Sequence, residues 1–428
     1  MVLKILASAL PYFPTEHTVH IVTGLILVLT ARAISQGRKT TRERDLHARV
    51  VLVTGAFSPM GLTLLESLAQ RGAHIIALTP HPVDSEQVTT YIELLRSTTS
   101  NEQIYAEHCD LASPPSIQAF AARFMAAKET RIDALLFTHE YRHIGPLRFL
   151  SRAPPADADA ERECAALATF LLTTLLLPAL LTAPAERDIR IVNVVNRFYA
   201  AAAALPLAAL AAPALPPSSA LFLREGARAL RTAVLTRHLQ RVLDALPAPP
   251  VPASDGPAVR PAAQKSNIVA VAVSPGVSRV ETVAPLFNAD WARGSESSTA
   301  GILLYLLAYP LLLLFTKSAR AALESVLHVL FLPTPFKVAS SRAGAGEEIP
   351  GELLKPGALY AECAVVRVAV GASASVRPAG EQATDGKAAE KTGQDAEEGE
   401  MADDGELGGE AAGRAVWEWY EAGLKRWE

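Results

Sequence analysis

The sequence predicts an α/β fold, a doubly wound parallel sheet with flanking helices, on three observations. From Val50 onward, short strand-like runs alternate with longer helical stretches, the pattern of parallel strands joined by crossover helices. The first such run leads into the turn Thr54-Gly55-Ala56-Phe57-Ser58-Pro59-Met60-Gly61, with glycines where a backbone would approach an anion. Half of the 428 residues are hydrophobic, enough for the core of one large domain, and Ala and Leu dominate the long apolar stretches.

The elements follow in order. Val50–Thr54 reads as the first strand, 61–71 as a helix ended by Gly72, and His74–Leu78 as the second strand. A helix near 85–96 precedes a strand at 104–107, and a helix over 116–128 precedes a fourth strand, Ala134–Phe137. A long apolar helix, 160–181, leads to a fifth strand at 189–195. A second long helix, 220–246, is followed by a Pro/Ala-rich loop, 247–263, and a sixth strand, 267–273, ending at Ser274-Pro275-Gly276. Residues 363–370 read as the last strand.

The domain spans 46–371 on this reading, with additions at both ends. Residues 1–45 form a hydrophobic lead whose apolar stretch, 19–31, is shorter than the ~20 residues of a bilayer span. Arg32, Arg38, Lys39, Arg42 and Arg44 follow it and would face the cytosol. Membrane anchor, cleaved signal peptide (Ala31-Arg32-Ala33) and a helix packed on the protein itself all fit; a nucleotide-binding domain with few cysteines favours the anchor. The uncharged run 301–315, interrupted by Pro310, fits a buried helix or one lying in a membrane interface. Residues 372–413 are acidic and almost without large apolar side chains, so they read as a disordered insert. Residues 414–428 read as a closing helix whose Trp417, Trp419, Tyr420 and Trp427 dock on the domain.

The formal net charge is −4, with much of the acidity in the late segment. No long basic stripe is present, which argues against nucleic-acid binding. Cys109, Cys164 and Cys363 are far apart, so neither a disulfide framework nor a metal site is expected, and a reducing compartment fits buried structural thiols.

The turn at 54–61, in its strand–helix setting, resembles that of the Rossmann-type short-chain dehydrogenase/reductase family, with the pattern TGxxxGxG. Gly55 and Gly61 match, and Pro59, which has no N–H, replaces the middle glycine. Asp110-Leu111 after the third strand is similar to the family's adenine contact, and Pro275-Gly276 to its turn beside the nicotinamide. The resemblance implies NAD or NADP held by Thr54, Gly55, Ser58, Met60, Gly61, Asp110, Leu111, Arg228, Pro275 and Gly276, with Pro59 counting against tight binding. Thr79-Pro80 follows the second strand, so no side chain there distinguishes the two cofactors.

The family's chemistry needs a Tyr acid, a Lys four residues on, a Ser and an Asn. This chain departs at each position: Arg224 stands at the Tyr, Arg228 at the Lys, Asn196 at the Ser and Ala165 at the Asn. Arginine stays protonated and is a poor general acid, although Arg228 retains a fixed cation suited to ribose or phosphate. Tyr199 reads as a packing aromatic and His139 as a loop histidine.

The segments Phe13-Pro14-Thr15-Glu16, 301–315, Lys355-Pro356-Gly357-Ala358-Leu359-Tyr360 and Val416-Trp417-Glu418 look similar to a fungal membrane-associated branch, near retinol-dehydrogenase-like and WW-domain-oxidoreductase-like members. That branch implies the cytosolic face of the endoplasmic reticulum or lipid droplets, a membrane or lipid partner and lipophilic alcohols or ketones; the family also implies a homodimer. Two functions follow: an NAD(P)-dependent oxidoreductase at a membrane, or a catalytically inactive relative serving there as a binding or scaffold protein. Joint loss of Asn, Ser, Tyr and Lys favours the second.

Overall fold

The computed structural model describes residues 18–127, 131–142, 145–147, 149–150, 155–184, 187–212, 220–246, 266–289, 298–335, 352–370 and 405–427. The motif at 13–16, the Pro/Ala-rich loop at 247–263 and most of the acidic segment lie outside them.

Eight strands form one sheet in the order β3-β2-β1-β4-β5-β6-β7-β8. They are β1 Val50–Thr54, β2 His74–Thr79, β3 Ile104–His108, β4 Ala134–Phe137, β5 Ile189–Val194, β6 Ile268–Ser274, β7 Leu359–Ala361 and β8 Ala364–Val366. All pairings are parallel except β7 with β8. The reversal beside β1 leaves a crevice at the carboxyl ends of β1 and β4, where ligands bind in such sheets.

Alternation along β1 shows why the sheet is covered twice. Val51 and Val53 enter the cluster built with α2 (Pro59–Ala69), α3 (Glu86–Thr99) and α12 (Ala319–Phe331). Leu52 points the other way, into the cluster with α4 (Pro114–Ala126), α6 (Pro155–Leu181) and α9 (Leu221–Ala245). The remaining helices are α1 Thr18–Gln36, α5 His139–Arg142, α7 Tyr199–Ala202, α8 Leu207–Leu210, α10 Ala284–Leu286, α11 Thr299–Phe315 and α13 Gly409–Trp427.

Several expectations are corrected. The single strand at 363–370 is a hairpin, because Glu362 and Cys363 both take positive φ (52° and 57°) and turn the chain back. The disordered reading of 372–413 fails at its end: Glu406–Gly408 is a 3-10 turn and α13 begins at Gly409, not 414. Leu407 and Ala412 are buried there, which supplies the apolar anchorage that the acidic composition hid. In α13, Trp419 and Tyr420 are buried, with the Tyr420 ring against Phe170. The apolar stretch 19–31 lies within the helix Thr18–Gln36, whose Arg32 and Gln36 find carbonyl partners on the body. The run 301–315 is not core: among its residues only Gly301 and Tyr305 are buried.

Candidate functional site

Two glycines define the first turn. Gly55 has φ +65°, in the left-handed region. A Cβ on Gly61 would lie 2.3 Å from the Gly55 carbonyl oxygen and 2.5 Å from that of Ala56, so only glycine lets the helix approach its strand. Ser58 caps α2, its Oγ accepting from Gly61 N–H at 3.0 Å, and Pro59 occupies the first turn, where its missing N–H costs little.

The decisive group is one that sequence reasoning missed. Glu281, 1% exposed, accepts the Met60 N–H through Oε1 at 2.8 Å. Its carboxylate therefore sits at the positive end of α2, the seat an anionic phosphate would take. With Gly61 N–H on Ser58, Ser58 N–H on the Gly55 carbonyl (3.2 Å) and no donor on Pro59, the turn does not fit a dinucleotide pyrophosphate as it stands. Glu281 lies on a π-helical turn, Arg279–Val283, just beyond Pro275-Gly276. Both carbonyls of that pair are engaged: Lys317 Nζ donates to Pro275 O at 2.9 Å and Tyr141 OH to Gly276 O at 3.0 Å.

The other expected cofactor residues serve local structure. Asp110 Oδ1 accepts the Ala112 N–H at 2.9 Å, an Asx turn at the end of β3, and Leu111 packs over the core beneath it. Thr54 Oγ1 meets His139 Nδ1 at 2.7 Å, and Thr138 Oγ1 donates to Thr54 O at 2.6 Å.

His139 is no loop residue. It opens a one-turn helix, is buried, and reaches Ala165 O through Nε2 at 2.9 Å. A carbonyl accepts only, so Nε2 carries the proton and Nδ1 accepts from Thr54. Burial lowers the His139 pKa against the pull of Glu140 and the Ala165 carbonyl.

Of the four expected tetrad positions, Arg224 and Arg228 belong to one charge network, whereas Ala165 and Asn196 have no part in it. Glu225 bridges Arg228 (Nη2–Oε2, 2.7 Å) and Arg162 (Nε–Oε1, 3.0 Å), and Asp159 pairs with Arg162 at 2.8 Å and with Arg224. Arg228 Nη2 also lies 3.4 Å from the Glu140 carbonyl. The Glu140 carboxylate accepts Thr169 Oγ1 at 2.6 Å and Thr232 Oγ1 at 2.8 Å, and Tyr420 OH donates to Thr232 at 3.2 Å. Asn196 Oδ1 caps the turn after β5 by accepting Phe198 N–H at 3.0 Å. Tyr199 is buried among apolar side chains, and burial raises its phenol. Burial likewise pushes the Tyr141 and Tyr420 hydroxyls above the ordinary phenol value, so neither is tuned to give up a proton.

Glu140, Thr169 and Thr232 gave no sequence signal, being far apart in the chain. The sequence reading also missed Glu225, although its spacing of three residues from Arg228 on one helix is a signal that could have found the pair.

A family model described as short chain dehydrogenase matches residues 49–198. An uncharacterized oxidoreductase of Saccharomyces cerevisiae is 34% identical over 209 residues, covering 45% of this chain and 49% of that one. A retinol dehydrogenase of Mus musculus is 32% identical over 114 residues, 26% of this chain and 35% of its own. The aligned part thus spans about half or less of these relatives' length. A solved short chain dehydrogenase of Shigella flexneri, complexed with NADP, superposes with a TM-score of 0.41 at 18% identity, over 65% of this chain and 100% of its own.

Proposed function

We propose, from the premise that this chain belongs to the short-chain dehydrogenase/reductase family, that it is a non-catalytic member acting as a binding or scaffold protein at a membrane surface. The observation that carries this reading is the ion-pair network at the positions of the family's Tyr and Lys, where Glu225 pairs with both Arg228 and Arg162. Arginines stand where the family's proton-donating Tyr and its Lys partner would be, and arginine is a poor general acid, a loss worth on the order of 10²–10⁴ in rate. The Glu281 carboxylate on Met60 supports it from the cofactor side. Exposed apolar side chains on α1 and α11 support the membrane surface, and a relative named for retinol, a lipophilic alcohol, agrees.

A second reading is an NAD(P)-dependent oxidoreductase of lipophilic alcohols or ketones at the cytosolic face of the endoplasmic reticulum or a lipid droplet; the relatives' names, oxidoreductase and retinol dehydrogenase, favour its oxidoreductase part. Titration of purified protein with NADPH, followed by nicotinamide fluorescence, separates the two. The wild type is expected to show no saturation at millimolar cofactor, and Glu281→Ala to bind at least tenfold more tightly than the wild type. Wild-type saturation in the micromolar range would overturn the blocked cradle, and turnover of a ketone or alcohol beside it would restore the oxidoreductase reading.

A further inference from the structure

Two apolar helices remain uncovered, and their attachment to the body differs. Helix α11 is held at both ends. At its start, Ser298 N–H donates to Asn288 O at 2.9 Å, and Gly301 lies so close to Phe287 that a Cβ would be 1.8 Å from its carbonyl oxygen. At its end, Lys317 N–H donates to Val277 O at 3.0 Å. A helix of 17 residues, about 25 Å long, with both ends on one body cannot cross a bilayer. It lies along the surface instead. Tyr305 faces inward, against Val283, Ala284 and Ala289. Leu303, Leu306, Leu307, Leu311 and Phe315 point outward, each more than half exposed. Their spacing of three and four residues places them on one face.

Helix α1 adds apolar surface beside it, exposed all round from Val19 to Thr30. It packs beside α11, and the contact is polar and specific at one end: Arg32 reaches the carbonyls of Leu313 and Thr316, and Gln36 Nε2 donates to Thr316 O at 3.0 Å. Upstream of that clasp, Leu25, Ile26, Leu27 and Leu29 are each more than half exposed. Beside the clasp stand the exposed Arg38, Lys39 and Arg320. An apolar surface of this extent, edged by cations, matches acyl chains beneath anionic headgroups.

We infer that α11 lies in the plane of an anionic lipid bilayer as a seating helix, clasped to α1 so that the two form one lipid-facing platform. It rests on the membrane-surface reading above and adds the element, the mode of contact and the lipid charge. The sequence alone left open whether 19–31 or 301–315 meets the membrane; here both do, and they do so together.

The test is flotation of the full-length chain with vesicles of phosphatidylcholine alone or with added phosphatidylserine. Wild type is expected to float with the anionic vesicles and to lose most binding in high salt or on neutral vesicles. Leu307→Asp combined with Leu311→Asp is expected to lower partitioning at least tenfold. Both side chains are exposed, so circular dichroism and melting should match wild type, and Leu303→Asp provides an independent single variant on the same face. Variants that float as well as wild type would overturn the seating role of α11 while leaving a membrane protein held by α1. Wild type that floats with neither vesicle would overturn the membrane reading itself. A concentration-dependent dimer dissolved by the same substitutions, without vesicle binding, would assign the face to a second copy and also overturn the proposal.

Discussion

Replacing Glu225 by Ala is expected to destabilise the protein by about 3–5 kcal/mol, the cost of leaving buried charge uncompensated. Glu225 is 1% exposed and is the carboxylate shared by Arg228 and Arg162, themselves nearly buried. Its loss leaves two guanidiniums facing each other through a low-dielectric region, with Asp159 still holding only the outer part of the cluster. Burial already lowers the Arg162 pKa, opposed chiefly by Glu225, so the site depends on that carboxylate. Chemical denaturation of wild type and Glu225→Ala measures the difference. A change within about 0.5 kcal/mol, typical of an innocuous surface substitution, would show that the network does not hold the region together.

Asp188→Asn is expected to cost a similar amount, about 3–5 kcal/mol, and to change how stability depends on pH. The carboxylate is buried between Arg190 (2.8 Å) and Arg44 (3.0 Å), and Arg190 also donates to the carbonyls of Val329 and Leu332, at the end of α12. Burial alone would raise the Asp188 pKa, but the two guanidiniums hold it below the usual carboxylate value. Arg44 in turn is brought down to about 10 by burial and by Arg190. A carboxylate depressed in the folded state contributes stability above its unfolded pKa of ~3.9 and loses it as pH falls through the folded value. The gap between wild type and Asp188→Asn should therefore be constant above about pH 5 and shrink below about pH 4. Melting curves across that range check the sign; a gap that grows on acidification would contradict it.

The sheet was legible because its signals are local. The β-branched run at Val50–Thr54 and the apolar run at Ala134–Phe137 alternate with helices, the pattern of parallel strands joined by crossover connections. The hairpin at 359–366 was less so, since its turn depends on positive φ at Glu362 and Cys363, residues that carry no glycine-like marker. The site divides the same way. Arg224 and Arg228 could be aligned from the sequence, whereas the role of Glu225 between them emerged only from the structure. The bond from Glu281 to Met60 joins residues 221 apart, and Glu140 reaches Thr232 across 92 residues. No periodicity encodes such pairs; the fold alone brings them together. Pro59, which the sequence singled out, takes a position where proline is tolerated, and the obstacle to an anion is a glutamate from the turn after β6.

The central claim, that an ion-pair network has replaced the proton-transfer machinery, is tested most directly by steady-state turnover. Purified full-length protein in detergent is mixed with NADPH or NADP and a panel of lipophilic ketones, aldehydes and alcohols, and the reduced nicotinamide is followed by absorbance. The predicted result is no rate above the protein-free blank for any pair. A rate that scales with the amount of wild-type protein would contradict it.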